Sequence, residues 1–523
     1  MRKKLFIIIA STLLLCSCQN SFNGTIVADT FNKKESYASI KIDGLDNGKV
    51  YSPEEVTITE TYHSIESKRY YNTQVLPSTG DVNLLIIPVL IPGFENIKIN
   101  QVTGEEALNK IRTDLNTAFF GDSSSSNLNF ESVSSFYKKS SFGKLNLQGH
   151  VTNWFSITED SSLPYTSAYE IDVEQTESVV KEAVKWAEEV EGIDMSQYDN
   201  DQDGYIDGVW LIYSAPNYTN DGPMTDYQNY WAYTSWGNQG NQGSQNPDVY
   251  NPVFNLFGWA SYDFMYENEG KLDAHTYIHE TGHFLGLNDY YSDSLFYNPI
   301  GKIDMMDANI TDLNSYSKML LGWSKPFLVS GDSEISINSL HHENNLIVIP
   351  DDSNTLENGK FDPFSEYILV ELYTNEYLSN FDSVNKLSDR PLASSEKGVR
   401  IYHIDNRKFV LDATDVYNVK VVPYQNQTLS DSQKIILPIT NNRSYDIYNS
   451  LGFDAQQNLY DEIRLIEANK TDTFSFGGWQ KEVSFFKEND TFSLNEYSNF
   501  FYQKNSFDNG NSFSKSITIK EVK

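Results

Sequence analysis

The chain of 523 residues is long enough for two or three domains. Aromatic side chains make up 14% of it, which can fill large cores and excludes an intrinsically disordered protein. The formal net charge of −33 would repel phosphates and excludes nucleic acid as a partner.

The N-terminal residues have the pattern of a bacterial secretory leader. Residues 2–4 are basic, and residues 5–15 form an apolar run that is too short to span a bilayer. Cys18 follows a small residue in the sequence Leu-Cys-Ser-Cys, which resembles a lipobox. We therefore predict a lipoprotein signal peptide at residues 1–17 and a lipid on Cys18, with an ordinary secretory signal as the alternative. Because Cys16 is the other cysteine, the mature protein would form no internal disulfide.

Residues 18–80 are polar and have no strong period, so we predict a tether or a short prosegment there. A catalytic domain is predicted at residues 81–330. It starts with a buried strand at residues 82–91, in which Pro88 indicates an edge strand or a bulge. Residues 104–120 and 176–191 have the apolar spacing of helices.

An aspartate-rich loop in this domain has the spacing D-x-D-x-D-G-x-x-D, the first part of an EF-hand-like loop. Its candidate calcium ligands are Asp199, Asp201, Asp203, the backbone carbonyl of Tyr205, and Asp207. Trp210 stands where an EF-hand has its bidentate glutamate, and residues 209–213 have the composition of a strand. A calcium ion here would cross-link a chain without disulfides. A solvated acidic turn is the alternative.

The segment with the most specific chemistry is H-E-x-x-H at residues 279–283. On a helix, His279 and His283 lie about 40° apart around the axis, so both imidazoles can reach one metal ion. Glu280 follows the first ligand, where a carboxylate can reach a metal-bound water without ligating the ion. The motif therefore predicts a zinc site, against the alternative of two histidines that merely pack.

The residues after the motif supply a third ligand. Gly286 can take the positive φ that ends a helix, so the chain turns back and brings Asp289 to the metal. The whole pattern, H-E-x-x-H-x-x-G-x-x-D, is a metzincin variant with an acid in place of the third histidine. Asp293 and Asp304 are the alternative third ligands. His275 lies about 12 Å along the helix from His283, too far to share the ion, and is predicted to be structural or to support a ligand.

The remaining part of the chain, residues 331–523, is predicted to be β-rich and sandwich-like. Short apolar runs alternate there with Asn, Asp and Ser turns. The predicted strands are at residues 346–349, 367–372, 399–404, 419–422, 435–437, 463–466 and 516–519.

At these motifs the chain resembles the immune inhibitor A-type metalloproteases, which are secreted bacterial zincins. The similar segments are HETGHFLGLNDYY at 279–291, IDMMD at 303–307, SYSKMLLGW at 315–323, residues 136–154 and 198–208, EYILVEL at 366–372 and GVRIYHID at 398–405. The resemblance implies an extracellular endopeptidase with zinc on His279, His283 and Asp289, and with Glu280 as the general base. It also implies a methionine turn beneath the metal, at Met306 or the adjacent Met305.

The expected fold is α+β: a metzincin-like catalytic domain with a mixed sheet and an active-site helix, followed by the β-rich half. The expected function is a cell-surface or secreted zinc endopeptidase that cleaves extracellular proteins with a zinc-activated water. The predicted lipid would attach it to the outer face of a bacterial membrane. Two alternatives are a lipid-anchored binding protein or adhesin with a non-catalytic zinc site, and a zinc hydrolase of non-peptide amides.

Overall fold

The computed structural model describes residues 26–28, 36–44, 49–56, 75–99, 101–122, 125, 127–157, 173–217, 231–237, 247–268, 270–292, 297–353, 363–387, 390–412, 422–423, 434–442 and 460–523. The predicted signal peptide, Cys18 and Asp293 lie outside these residues.

We call residues 81–330, where the catalytic domain is predicted, the catalytic part, and residues 331–523, with the strands that pair with them, the C-terminal half. The strands before residue 326 come first along the chain. They are β1 (Ile26–Ala28), β2 (Tyr37–Asp43), β3 (Val50–Tyr51), β4 (Gly80–Leu90), β5 (Lys98–Ile99), β6 (Val102–Thr103), β7 (Leu145–Val151), β8 (Phe155–Ser156), β9 (Tyr205–Ile206), β10 (Val209–Tyr213), β11 (Tyr233–Trp236), β12 (Val253–Phe254) and β13 (Leu256–Ser261). The C-terminal strands are β14 (Phe327–Val329), β15 (Ser333–Asn338), β16 (Leu346–Pro350), β17 (Glu366–Tyr373), β18 (Gly398–Asp405), β19 (Lys408–Asp412), β20 (Val422–Pro423), β21 (Lys434–Pro438), β22 (Ile463–Ile466), β23 (Thr491–Ser493) and β24 (Ser516–Val522).

Helices are concentrated in the catalytic part. They are α1 (Gly104–Phe120), α2 (Val133–Ser140), α3 (Val173–Glu189), α4 (His275–Phe284), α5 (Met305–Ala308), α6 (Ser315–Leu320) and α7 (Leu378–Val384). Shorter 3-10 helices lie at Met195–Tyr198, Tyr262–Tyr266, Thr473–Phe476, Glu482–Ser484 and Leu494–Phe500. No helix in the described ranges combines the length and apolar composition that a bilayer crossing requires.

The catalytic part is a sheet with helices on both faces. Its strand order is β11-β13-β10-β4-β7, with β8 also beside β4, and β11 alone runs antiparallel to its neighbour. Alternate residues of β4 and β10 face opposite sides, as strand geometry requires. One face packs with α1, α2 and α4, and the other with α3. The sheet therefore seats the helix of the H-E-x-x-H motif against a large apolar core.

Of the two interpretations of Pro88, an edge strand or a bulge, the edge strand is wrong, because β4 lies between β10 and β7. On the β7 side, pairing stops at Ile86 and resumes with β8 at Val89. Residues two apart along a strand point their backbone groups to the same side, and the carbonyl of Ile86 points towards β7. The backbone nitrogen of Pro88, which carries no hydrogen, therefore faces the gap between β7 and β8. No hydrogen bond between strands is lost there.

The C-terminal half contains two sheets packed face to face, which confirms the α+β class and the β-rich, sandwich-like half. Their strand orders are β1-β15-β2-β24-β23 and β22-β18-β17-β16-β14-β3. We call the second one the central sheet. Ile40 and Ile517 from the first sheet share a core with Ile368 and Ile401 from the central sheet. Burial of such apolar faces is the main stabilising term of the sandwich.

The central sheet is also buried on its opposite face. Leu369 and Tyr402 belong to the same apolar core as the helices of the catalytic part, whereas Ile368 and Ile401 face the sandwich. A sheet that is buried on both faces needs strands without polar alternation, and β17 is buried along its whole length. The catalytic part and the C-terminal half are therefore joined by a continuous core.

Residues 18–80, predicted as a tether or a short prosegment, include three strands of this half. β1 pairs with β15. β2 lies between β15 and β24, and β3 pairs with β14. The sequence contains a signal for β2, because the apolar residues Ala38, Ile40 and Ile42 alternate with polar ones. These stretches are parts of folded sheets and not of a free tether.

A buried histidine also links the two parts. His275 Nδ1 lies 2.7 Å from Asp273 Oδ1, and its Nε2 lies 3.5 Å from Asp382 Oδ1 in α7. Its ring stacks on Phe130 at 4.5 Å. Burial disfavours the imidazolium, but the two carboxylates outweigh it and raise the pKa of His275 to about 9. The side chain has the structural role predicted for it.

We predict that this imidazolium contributes stability that is lost in alkali. Because the folded pKa is raised above the ordinary histidine value, the contribution is complete below about pH 6.5 and disappears as the pH rises through about 9. His275→Gln should lower the free energy of unfolding by about 3 kcal/mol at neutral pH, since it leaves buried carboxylates without their cation. Urea unfolding of the native protein and the variant from pH 6 to 10 measures the pH dependence of stability and the effect of the substitution. Parallel pH profiles for the two proteins would contradict the prediction.

Candidate metal centre

The helix α4 presents the motif residues because its other faces are held in the core. The N-cap position is Ala274, and Asp273 Oδ1, one residue earlier, accepts a hydrogen bond of 2.9 Å from the backbone N–H of His275. Tyr277 and Ile278 are fully buried against the sheet. The helix ends at Phe284, and Gly286 has a φ of +88°, a conformation in which glycine carries no steric cost. The chain then turns back towards the helix.

This turn brings Asp289 to the two histidines. Asp289 Oδ1 lies 3.0 Å from His279 Nε2 and 3.2 Å from His283 Nε2. The ring centroids of the histidines are 4.9 Å apart, and the rings are nearly perpendicular. One ligand atom from each of the three residues lies within 4.8 Å of the others. The structure therefore gathers the three predicted zinc ligands at one point.

Backbone carbonyls orient both imidazoles. His279 Nδ1 lies 2.7 Å from the carbonyl oxygen of Met305, and His283 Nδ1 lies 2.8 Å from that of Leu287. A hydrogen bond from each Nδ1–H to its carbonyl leaves both Nε2 atoms directed at Asp289, the arrangement usual for metal-ligating histidines.

The electrostatics of these residues fit a cation site. Burial disfavours the imidazolium, but the adjacent Asp289 raises the pKa of His283 to about 9. Burial acts to raise the pKa of Asp289, but the two imidazoles hold it well below its usual range. Asp289 thus favours positive charge at the two imidazoles, as a metal-ligating carboxylate does. Two imidazoles and one carboxylate form a donor set typical of catalytic zinc, with a fourth position left for water.

Glu280 lies beside these ligands in a buried environment. Its Oε2 accepts a hydrogen bond of 3.2 Å from Thr234 Oγ1, and the Thr234 hydroxyl also lies 3.1 Å from the backbone carbonyl of Glu280. Burial raises the pKa of Glu280, and the imidazoles of His283 and His279 oppose that rise. Thr234 comes from the terminal strand β11, so the edge of the sheet lies against the carboxylate.

A short helix, α5, packs against α4. Met306 Sδ lies so close to Gly282 that a side chain at residue 282 would clash with it, so the methionine sulfur packs against the helix between the two histidines. Met305 contributes its carbonyl to His279 instead. Asp304, considered as an alternative third ligand, caps α5 by accepting hydrogen bonds from the backbone N–H groups of Met306 and Asn314. It does not join the group of metal donors in the described residues.

The aspartate-rich loop forms a separate acidic cluster. Carboxylate oxygens of Asp199, Asp201 and Asp203 lie within 4.8 Å of one another. Both oxygens of Asp199 accept backbone hydrogen bonds, from residues 203 and 204. Asp207 accepts from the backbone N–H of residue 200, and burial, with help from Asp201, raises its pKa to about 8. The backbone N–H of Tyr205 donates to Asp203 Oδ1.

Two residues near the metal donors had no signal in the sequence. Thr234 lies 46 positions before Glu280, and Asn442, whose Nδ2 donates a hydrogen bond of 3.0 Å to Asp289 Oδ2, lies 153 positions after its partner. Neither belongs to a motif, since contacts over such separations depend on how the strands pair.

Comparison with known proteins agrees with this geometry. Residues 112–308 match the family model described as the immune inhibitor A peptidase M6 catalytic domain. The matched segment contains α4, Asp289 and α5, and ends before the C-terminal sandwich. A search of the curated proteins found no match. The family match confirms the resemblance inferred from the motifs: residues 112–308 are similar to the catalytic domain of the immune inhibitor A-type peptidases.

Proposed function

We propose that the protein is a zinc-dependent endopeptidase that cleaves extracellular proteins. The observation that carries the proposal is the convergence of His279, His283 and Asp289 on one point, with the buried Glu280 carboxylate beside it. The family match supports a peptidase and covers these residues.

In this proposal His279, His283 and Asp289 hold the ion. An ion held by these residues would supply Lewis-acid chemistry, because zinc with such ligands lowers the pKa of a bound water and polarises a carbonyl. The protein fixes the ligands in advance, because the carbonyls of Met305 and Leu287 set the orientation of both rings.

Glu280 is the proposed general base. Burial raises its pKa, which makes the carboxylate a stronger proton acceptor than an exposed glutamate. It takes a proton from the attacking water and then gives it to the leaving amine. The hydrogen bond from Thr234 holds Oε2 during both transfers.

The substrate is proposed to lie along β11. This strand ends the catalytic sheet in the described residues, and its Thr234 touches Glu280. An extended peptide could add to such an edge through backbone hydrogen bonds, which would place a scissile bond beside the catalytic carboxylate without requiring a particular side chain.

The location and the calcium site belong to the same proposal. A lipid on Cys18, or secretion, would place the enzyme outside the cell with its substrates.

Calcium is proposed to bind at Asp199, Asp201, Asp203, Asp207 and the Tyr205 carbonyl. It would neutralise the negative charge of the clustered carboxylates, of which Asp199 accepts hydrogen bonds from backbone N–H groups. The alternative function, an adhesin with a non-catalytic zinc site, does not account for a buried glutamate beside the metal donors.

Glu280→Gln is predicted to retain zinc and to lose casein hydrolysis by at least about 100-fold, because the amide cannot accept the proton. Zinc content by atomic absorption and casein digestion with and without a chelator measure the two effects. Undiminished turnover by the variant would refute the role of Glu280. Chelator-resistant digestion by the native protein would refute zinc catalysis.

Asp289→Ala is predicted to weaken zinc retention, because two imidazoles remain where three ligands held the ion. The zinc-to-protein ratio after dialysis against a chelator should fall below that of the native protein. A ratio equal to the native one would show that a different residue completes the site.

Calcium is predicted to raise the melting temperature of the native protein. Asp201→Asn with Asp203→Asn should abolish that rise, because it removes two of the clustered charges from the loop. Differential scanning fluorimetry with and without calcium measures the effect, and Asp248→Asn on the exposed neighbouring loop is the control. An equal calcium response in the double variant would reject the site.

A further inference from the structure

The turn that carries the third metal donor is held by the C-terminal half. Each of three consecutive residues, 288 to 290, takes part in a hydrogen bond to that half. The bonds run from Asn288 Nδ2 to Glu462 Oε2 (2.8 Å), from Asn442 Nδ2 to Asp289 Oδ2 (3.0 Å) and from Asn441 Nδ2 to the carbonyl oxygen of Tyr290 (2.9 Å). The partners lie outside residues 112–308, the segment that matches the catalytic family.

The bond to Asp289 separates the roles of its two carboxylate oxygens. Oδ1 is the oxygen that lies 3.0 Å and 3.2 Å from the two imidazole Nε2 atoms. Oδ2 is the oxygen that accepts from Asn442. We propose that Asn442 is a positioning residue that orients Asp289 so that Oδ1 faces the metal, and that the C-terminal half thereby completes the metal centre. This inference rests on the zinc site of the proposed function.

The segment that carries Asn442 is anchored firmly enough for this role. Asn441 is fully buried, and its amide donates to the carbonyls of both Tyr290 and Ile463 while accepting from the Ile463 N–H. The Thr440 hydroxyl donates to the carbonyl of Asn442 at 2.8 Å. Ile463 begins β22, a strand of the central sheet. The donor to Asp289 is therefore fixed to the central sheet and does not depend on an unsupported loop.

The same anchoring reaches the opposite side of the turn. Glu462, the partner of Asn288, accepts a hydrogen bond of 2.8 Å from the Tyr316 hydroxyl in α6 through its other oxygen. The backbone N–H of Tyr290 donates to the carbonyl of Met306. The turn is thus fixed between α5, α6 and the central sheet. Hydrogen bonds that orient metal-ligating carboxylates typically change metal affinity by about 10–100-fold when they are lost.

The test compares zinc affinity among four full-length proteins: native, Asn442→Asp, Asn442→Ala and Asn385→Ala. Aspartate has nearly the shape of asparagine, but it removes the donor and sets a second negative charge against Asp289 Oδ2. If Asn442 only fills space, the zinc affinity of Asn442→Asp should equal that of the native protein, and the zinc affinity of Asn442→Ala should be lower. A positioning role predicts that zinc affinity falls about 10–100-fold in both and furthest in Asn442→Asp. Asn385 is exposed and donates a hydrogen bond to the Phe381 carbonyl. The zinc affinity of Asn385→Ala should therefore stay within about twofold of the native value.

Zinc dissociation constants come from competition with a chromophoric chelator, and the visible spectrum of the cobalt-substituted proteins reports the ligand geometry. An unchanged or tighter zinc affinity in Asn442→Asp, with an unchanged cobalt spectrum, overturns the inference. Melting of the metal-free proteins checks folding, and Asn442→Ala carries the test if Asn442→Asp does not fold. If the native protein itself fails to bind zinc, the proposed function fails instead, so the two failures are distinguishable.

Discussion

The burial of the central sheet on both faces is the constraint on which the rest of the structure depends. One face closes the C-terminal sandwich and the other continues into the core beneath the metal-binding helix. Because apolar burial is the main source of folding free energy, the two halves stabilise each other through this sheet. The same packing sets β22 and the residues beside it against the turn of Asp289. The candidate metal centre consequently lies at a junction, although the H-E-x-x-H motif lies within one helix.

The electrostatics of the centre follow from its burial. Two histidines and two carboxylates lie together where water is largely excluded, and isolated charges there would be costly. The Asp289 carboxylate stabilises positive charge on His283, and the imidazoles in turn stabilise the negative charge of Asp289. A divalent cation bound there would compensate the carboxylates. The proposed roles are compatible, because Asp289 would be the third donor and Glu280 would remain available to accept a proton.

Buried ionic clusters tie the catalytic part to the sandwich in the described residues. Asp312 accepts hydrogen bonds from Lys318 and Ser140, and lies 3.0 Å from His341 Nδ1. Burial acts to raise the pKa of Asp312, but Lys318 and His341 lower it to about 2. His275 bridges the two parts in the same way. Such groups are costly to separate once buried, so they favour one mutual arrangement of the halves.

Features that depend on neighbours along the chain can be predicted from the sequence. His279 and His283 occupy one helix face because of helical spacing, and short apolar runs predict most of the C-terminal strands. The packing of distant segments places β2 in the sandwich and Pro88 inside a sheet, and it brings Thr234 and Asn442 to the candidate metal centre. Those contacts join residues far apart in the chain, and strand pairing and two-sided burial, which no local period encodes, bring them together.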